Sequence, residues 1–358
     1  MNPDSTRRGT DAGLRVAFCQ LWASHRRATP HVAVELMERA GHEVRCIGDE
    51  PAALEGVGLV WIQGNANWFP GVCRRLETTP AARRPLVVIR HGEPLPPPRV
   101  SGLPQPRLHL REIVKMLLRD RRATDVYTNV RRLRRLARHG IPDVLAVASL
   151  SWQEFLTEQG IASEFVPTGY RRGTGGDLGL PRDIEAVFLG TLNVPRRKRA
   201  IQRLRSDGID LIAVGSWTDP TYWGEERNKL LNRACTLLNL QRYPGDLASS
   251  RLVLGITRGA LVVSEPIYRP EPFVPSRHYV EAPLDEMASL IRFYRDHPNE
   301  RQRIVDEARR FLHEEMTIER TMAHLNDLIA SRLGHPLFDP TDIPPRALPK
   351  SGQAEGLR

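Results

Sequence analysis

An α/β architecture of two doubly wound domains facing a cleft is predicted from three features of the sequence. Buried apolar runs alternate with amphipathic segments, and this alternation occurs, stops and begins again. The interruption, Arg171–Asp183, reads RRGTGGDLGLPRD and has the glycine-rich, apolar-poor composition of a linker. The chain, at 358 residues, is also longer than the roughly 250–300 residues at which a single core stops growing.

Residues 1–13 are polar and are expected to be disordered. LRVAFCQLW from Leu14 is a strand, PHVAVELMERAGHEV a helix with Val32, Leu36 and Met37 at helical spacing and Gly41 as its stop, and VRCIG a second strand. GLVWIQG and PLVVIRHG are short apolar runs of the kind buried on both faces of a parallel sheet. A proline-rich surface loop, the helix LREIVKMLLRDRRA, a short strand DVYTNV and the basic helix RRLRRLARHG follow. VLAVAS is a strand, and SWQEFLTEQG a helix with a capping box from Ser151 to Glu154. Together residues 14–170 form one Rossmann-like domain.

Beyond the linker (171–183), EAVFLG, IDLIAVG, CTLLNLQ and ALVVSE read as strands separated by helices, giving a second Rossmann-like domain over 184–314. A helix over 315–335 is expected to return to the first domain, and 336–358 to be a disordered tail.

Lys and Arg number 52 against 42 Asp and Glu, a formal charge of +10 carried mostly by arginine. Such a balance admits nucleic acid, a membrane surface or a phosphorylated small molecule. The four cysteines form no CxxC pair and no cluster with metal spacing, so reduced thiols and no metal are expected. No apolar run is long enough to cross a membrane and the N-terminus lacks a signal-peptide h-region, which makes the cytoplasm the expected location.

Ligands of doubly wound sheets bind beyond the carboxyl ends of the strands, so chemistry is sought there. Gly190 and Thr191 end the first strand of the second domain, and Arg196 and Arg197 open its next helix; they can hold a diphosphate or form a solvated basic face. Gly215 and Ser216 end the following strand. The loop QRYPGDLASS carries Tyr243 and leads into a helix that Ser249 or Ser250 can cap. Arg251 lies in that helix's first turn, where the dipole disfavours a cation, so a bound anion would explain it; its removal would then leave the free protein unchanged or more stable. Glu265 ends ALVVSE and can take ribose or sugar hydroxyls, or be an ordinary loop carboxylate. In the first domain, His91 and Glu93 follow a strand and are the candidate acid–base pair. QGNANWF, Gln63–Phe69, offers amides and an aromatic surface to an acceptor, or is simply a loop over a partly buried Trp68.

CTLLNLQRYPGDLASSRLVLGITRGALVVSE resembles the carboxyl-terminal domain of group-one glycosyltransferases and their spore-maturation-type relatives. The match rests on Asn239, Arg251, Gly259, Val262, Val263, Ser264 and Glu265, and on helices after residue 281 that look like the family's tail. It covers residues 185–330 and is only architectural over 14–170. The resemblance implies a GT-B fold, sugar transfer from a nucleotide-diphosphate sugar to a hydroxyl, and no cofactor beyond that donor. It places Gly190, Arg196, Arg197, Asn239, Arg251 and Glu265 around the diphosphate and ribose. Where the family has two glutamates eight residues apart, this chain has Asp246 and Leu254, and leucine cannot hydrogen-bond a ribose. A non-catalytic nucleotide-sugar binder is therefore a competing reading. A nucleic-acid binder is a weaker one, since the basic helices come without a recognition motif, and the missing GxGxxG argues against a dehydrogenase. The acceptor is not identified, and peripheral membrane contact is compatible with the charge.

Overall fold

The computed structural model describes residues 13–21, 31–107, 110–118, 126–173, 175–215 and 224–343. The first domain is built from β1 (Arg15–Cys19), α1 (Val32–Arg39), β2 (Glu43–Ile47), β3 (Leu59–Gln63), α2 (Pro70–Thr78), β4 (Leu86–His91), α3 (Leu110–Leu117), α4 (Val126–Arg138), β5 (Val144–Val147), α5 (Leu150–Glu158) and β6 (Glu164–Phe165). Its six strands pair in parallel in the order β2-β1-β3-β4-β5-β6. The central strands are apolar on both faces because helices cover both. Ile62, Ile89 and Leu145 pack towards α2, α4 and α5, whereas Phe18, Trp61 and Val88 pack towards α1.

The second domain contains β7 (Ile184–Leu189), α6 (Pro195–Ser206), β8 (Leu211–Val214), α7 (Glu225–Arg233), β9 (Ala234–Asn239), α8 (Ser249–Thr257), β10 (Leu261–Ser264), β11 (Val280–Glu281), α9 (Leu284–Asp296) and α10 (Pro298–Glu314). Its parallel order is β11-β10-β9-β7-β8. The last helix, α11 (Ile318–Leu333), places Met322, Leu325 and Ile329 in the first domain's core beside Phe18, Trp61 and Val88.

The chain passes between domains twice, and the two passages are stitched together. The Tyr170 amide donates to Met316 O at 2.8 Å, and Tyr170 O accepts from the Ile318 amide at 2.9 Å. Gly169 lies so close to α11 that a Cβ there would sit 2.4 Å from Thr321 Oγ1 and 2.5 Å from Thr317 O. Arg171 then grips Glu35 of α1 through two hydrogen bonds.

Three local expectations are corrected. DVYTNV does not begin a strand: Val126–Val130 form the start of α4, because Val126, Asn129 and Val130 recur at helical spacing towards the core; Asp125 lies outside the described residues. The capping box does not form, since α5 begins at Leu150 behind Ser149. Glu154 instead accepts from Tyr268 Oη at 2.9 Å and pairs with Arg269 at 2.9 Å, gaining a charged partner across the domain boundary. The expected tail is not loose from its start: Leu337 and Phe338 are buried in the first domain's core, and Asn326 Oδ1 accepts from both of their amides. Residues 344–358 lie outside the described structure, as do 1–12.

Candidate functional site

A doubly wound sheet opens a crevice where two neighbouring strands send their following helices to opposite faces. In the second domain β7 and β9 are such neighbours, and several candidate residues gather at their tips. Arg251, from the first turn of α8, reaches back across both: its Nε donates to Leu189 O at 3.1 Å and its Nη1 donates to Asn239 Oδ1. Asn239 is buried and donates through Nδ2 to Ser264 Oγ at 2.8 Å, which fixes the oxygen that Arg251 uses. Arg197 enters from α6, donating from Nε to Leu240 O at 3.0 Å and from Nη1 to Thr191 O at 3.4 Å. Both guanidinium groups lie over the Phe188 ring, 5.5 Å (Arg197) and 5.3 Å (Arg251) from its centroid. Burial pushes Arg251 down to about 9 and Arg197 down to about 10, and each is lowered further by a neighbouring arginine. Two cations held this close to one another create a strong local demand for an anion.

Backbone shape keeps the crevice open. A Cβ on Gly190 would meet Arg251 Nη2 at 3.0 Å, and one on Gly215, whose φ is +121°, would meet Gly190 N at 2.9 Å. Ser216, expected beside them, lies outside the described residues.

Arg196 and Glu265 converge as well, but on each other. Arg196 spans both carboxylate oxygens of Glu265, and Glu265 Oε2 also accepts from the Gln241 amide at 2.8 Å. With Glu265 only 5% exposed, the pair braces the loop after β9 rather than presenting a free cation and a free carboxylate. Neither serine caps α8: its N-cap is Ala248 without a side-chain bond, and Ser249 is the first helical residue. Tyr243 lies under Arg242, 5.3 Å from guanidinium carbon to ring centroid. Leu254 is partly buried and packs against a small core that includes Val187, Leu231 and Leu237, so it contributes apolar packing where the family pattern has a carboxylate.

The first domain meets this crevice through the loop after β4 and through α5. Glu93 is half-buried; burial and the nearby Asp246 raise its carboxyl to about 7 against the pull of Arg242. Asp246 is raised by burial to about 6, opposed by the Trp152 indole and by Arg197, Arg251 and Arg242. One of its oxygens, Oδ1, is buried without a hydrogen bond. His91 does not stand beside them as a base. It is 1% exposed and edge-on to Trp152 at 6.1 Å, and burial, opposed by a hydrogen bond with the Glu93 backbone, pushes it down to about 4. β4 turns the imidazole into the core and leaves Glu93, two residues on, at the cleft. Likewise Asn65 is buried, caps its own turn at the Asn67 amide and donates to Asn129 at 2.6 Å, so this part of QGNANWF shapes the loop.

Sequence reasoning passed over Trp152 and Arg242. Arg242 adjoins Tyr243 in a loop already singled out, so it was within reach; Trp152 was hidden inside a helix that looked purely structural. Among the described residues no group of three or more His, Cys, Asp or Glu is placed to hold a metal. No described helix is long and apolar enough to cross a membrane.

Residues 196–327 match a protein family described as "Glycosyl transferase-like". No curated protein matches the sequence. Among solved structures, Anabaena HepE in complex with UDP and glucose superposes with a TM-score of 0.59 at 10% identity, over 89% of this chain and 100% of that one. Sucrose-phosphate synthase from Thermosynechococcus elongatus gives 0.58 at 13% identity, over 90% of this chain and 99% of that one. TarM gives 0.51 at 11% identity, over 75% of this chain, which spans only 54% of TarM's length. At such identities the likeness is one of fold, and the fold of this chain is GT-B: two parallel-sheet domains whose strand tips face one cleft.

Proposed function

We propose that the chain is a glycosyltransferase that moves a sugar from a nucleotide-diphosphate sugar to a hydroxyl acceptor. The observation that carries this reading is the Arg197–Arg251 pair at the β7–β9 switch point, fixed by carbonyl oxygens on one side and opening onto the Gly190–Gly215 backbone on the other. Breaking the sugar–phosphate bond places negative charge on the leaving diphosphate, and preorganised guanidinium groups stabilise it without reorganising. That charge stabilisation calls for no metal and no cofactor beyond the donor. Glu93, whose carboxyl titrates near neutrality, is positioned to take the acceptor's hydroxyl proton, with Asp246 opposite it on the donor side. Domain closure would exclude water from the site.

Within group-one glycosyltransferases the spore-maturation-type reading rests on the sequence resemblance at Asn239, Arg251, Gly259 and Val262–Glu265. The solved complexes of HepE and TarM with UDP support a nucleoside diphosphate as the leaving group. A binder without catalysis is favoured by Leu254 alone, and turnover of a nucleotide sugar separates the two readings. Nucleic-acid binding loses ground because basic helices spend several arginines internally: Arg135 pairs with Glu77, and Arg196 and Arg197 turn into the fold. The test is calorimetric titration with a panel of nucleoside diphosphates. The reading predicts that one binds and that Arg251→Ala weakens it by about 1.5–3 kcal/mol, the scale of a hydrogen bond to a charged group.

We assign the reaction to the cytoplasm, where four unpaired cysteines remain reduced. We also propose peripheral contact with an anionic membrane through α3. Leu110, Val114, Leu117 and the adjoining Leu118 are all exposed and share one helical face, while Arg111, Lys115 and Arg119 lie among them in sequence. Flotation with anionic vesicles, lost on Leu117→Glu and absent with neutral vesicles, is the expected result.

A further inference from the structure

The first domain has its own switch point, between β1 and β3, and an unusual cation lies beside it. Arg90, next to β3 in register with Gln63, is 8% exposed. Among the described residues no carboxylate and no hydrogen-bond acceptor meets its guanidinium, and burial alone lowers it to about 10. An arginine so placed normally pairs, because an uncompensated buried charge is costly. Arg171, which with Arg90 acts on the same histidine, is engaged by both oxygens of Glu35.

His31 lies within the field of Arg90 and caps α1. Its Nδ1 accepts from the Ala33 amide at 3.2 Å, so the proton of the neutral ring sits on Nε2. Burial, with Arg90 and Arg171 adding to it, pushes the imidazole down to about 3, so it stays a neutral N–H donor at physiological pH. Nε2 has no partner among the described residues. Phe18 holds the ring in place, 5.3 Å between centroids. A buried cation and a fixed N–H donor thus stand at one strand-tip crevice with no partner among the described residues.

We propose that Arg90 and His31 form a second anion site, distinct from the Arg197–Arg251 pair, that takes a phosphoryl group of the acceptor. A carboxylate would be satisfied by the guanidinium fork alone, whereas a phosphoryl group offers a further oxygen to the imidazole N–H. Naming the ligand as the acceptor rests on the glycosyltransferase reading; the anion site itself does not. The acceptor would therefore be a phosphorylated molecule, bound by the first domain while the second holds the donor.

The experiment titrates the full chain with inorganic phosphate, with and without a saturating nucleoside diphosphate, and compares Arg90→Gln with Arg251→Ala. Phosphate should still bind when the donor site is filled, weaken about tenfold in Arg90→Gln, and be unaffected by Arg251→Ala. The nucleoside diphosphate should show the opposite dependence, so failure of the donor reading and failure of this site give different patterns. Melting of unliganded Arg90→Met supplies an independent check: removal of an unpaired buried charge should leave the melting temperature unchanged or raised. Loss of phosphate binding on saturation with nucleoside diphosphate, indifference to Arg90→Gln, or a marked fall in the melting temperature of Arg90→Met would each overturn the proposal.

Discussion

The two switch points of this protein are built alike and finished differently. At β7–β9 the arginines are already engaged: Arg251 holds Leu189 O and Asn239 Oδ1, and Arg197 holds Leu240 O. At β1–β3 Arg90 holds nothing among the described residues. Carbonyl partners orient a guanidinium without neutralising it, so the second domain's cations are aimed in advance and remain charged. Arg90 is kept in place by packing alone, and its hydrogen-bonding capacity is left for something else. An engaged cation should matter to both stability and binding, an unengaged one to binding only.

The sharpest break of that contrast is Arg251→Ala. Beyond its effect on nucleoside-diphosphate affinity, the unliganded protein should lose about 1–3 kcal/mol, because buried Asn239 Oδ1 loses its donor. This reverses the expectation from helix-dipole repulsion: Arg251 leans back across the strand tips, where its bonds outweigh the dipole. Denaturant melts of Arg251→Ala and Arg90→Met read it directly, and a fully stable Arg251→Ala would erase the distinction from Arg90.

Gly169→Ala tests whether the two switch points are held in register by the stitched crossing. The new methyl would press on Thr317 O and Thr321 Oγ1, and overpacking of this kind costs about 1–3 kcal/mol. The expected signature is a lower melting temperature with faster amide exchange at Tyr170 and Ile318.

Titration across the cleft should follow from Glu93 and Asp246. Both carboxyls are raised on folding, from 4.5 to about 7 (Glu93) and from 3.8 to about 6 (Asp246). The folded state therefore binds more protons than the unfolded one in that window, and these two groups make stability fall as pH rises from about 4 to 7. His31 and His91 act oppositely: both are lowered from 6.5, to about 3 (His31) and about 4 (His91), so their contribution is lost as pH falls below 6.5. Glu93→Gln with Asp246→Asn should consequently gain melting temperature over the parent, by more at pH 7.5 than at pH 4.5. In turnover, the parent rate should climb through pH 7 as Glu93 loses its proton, and Glu93→Gln should flatten that limb.

The smallest effect is expected at Ser249. Lacking a capping bond, it should tolerate alanine within about 0.5 kcal/mol, whereas a true N-cap would cost about 1 kcal/mol. A melting curve that shows the larger loss would mean the serine reorients in solution.

Most of the architecture was legible because strands and helices announce themselves over short distances. The strand ALVVSE, the α8 segment and the return of the last helix follow from periodicity and from Gly and Pro signals, whereas β1 stops at Cys19, short of the end of LRVAFCQLW. Local reading failed where a tertiary partner intervened: Glu154 left its capping box for Tyr268 and Arg269, and Leu337 was drawn into a core by Asn326. The same cause divides the site residues. The sequence marked Glu265, His91 and Glu93 as polar groups just past strand tips, and Arg196 and Arg251 as cations in the first turns of helices.

By itself, then, the sequence determined two parallel sheets with their covering helices, since these depend on neighbours a few residues away. Only the tertiary structure decided which charges stay available. Arg196 meets Glu265 across 69 residues, and Arg251 meets Leu189 across 62. Arg90 meets no partner at any separation among the described residues, and His91 is buried while Glu93 reaches the cleft. Charge pairing and desolvation depend on distance in space and on excluded water, and neither quantity is written in the order of the residues.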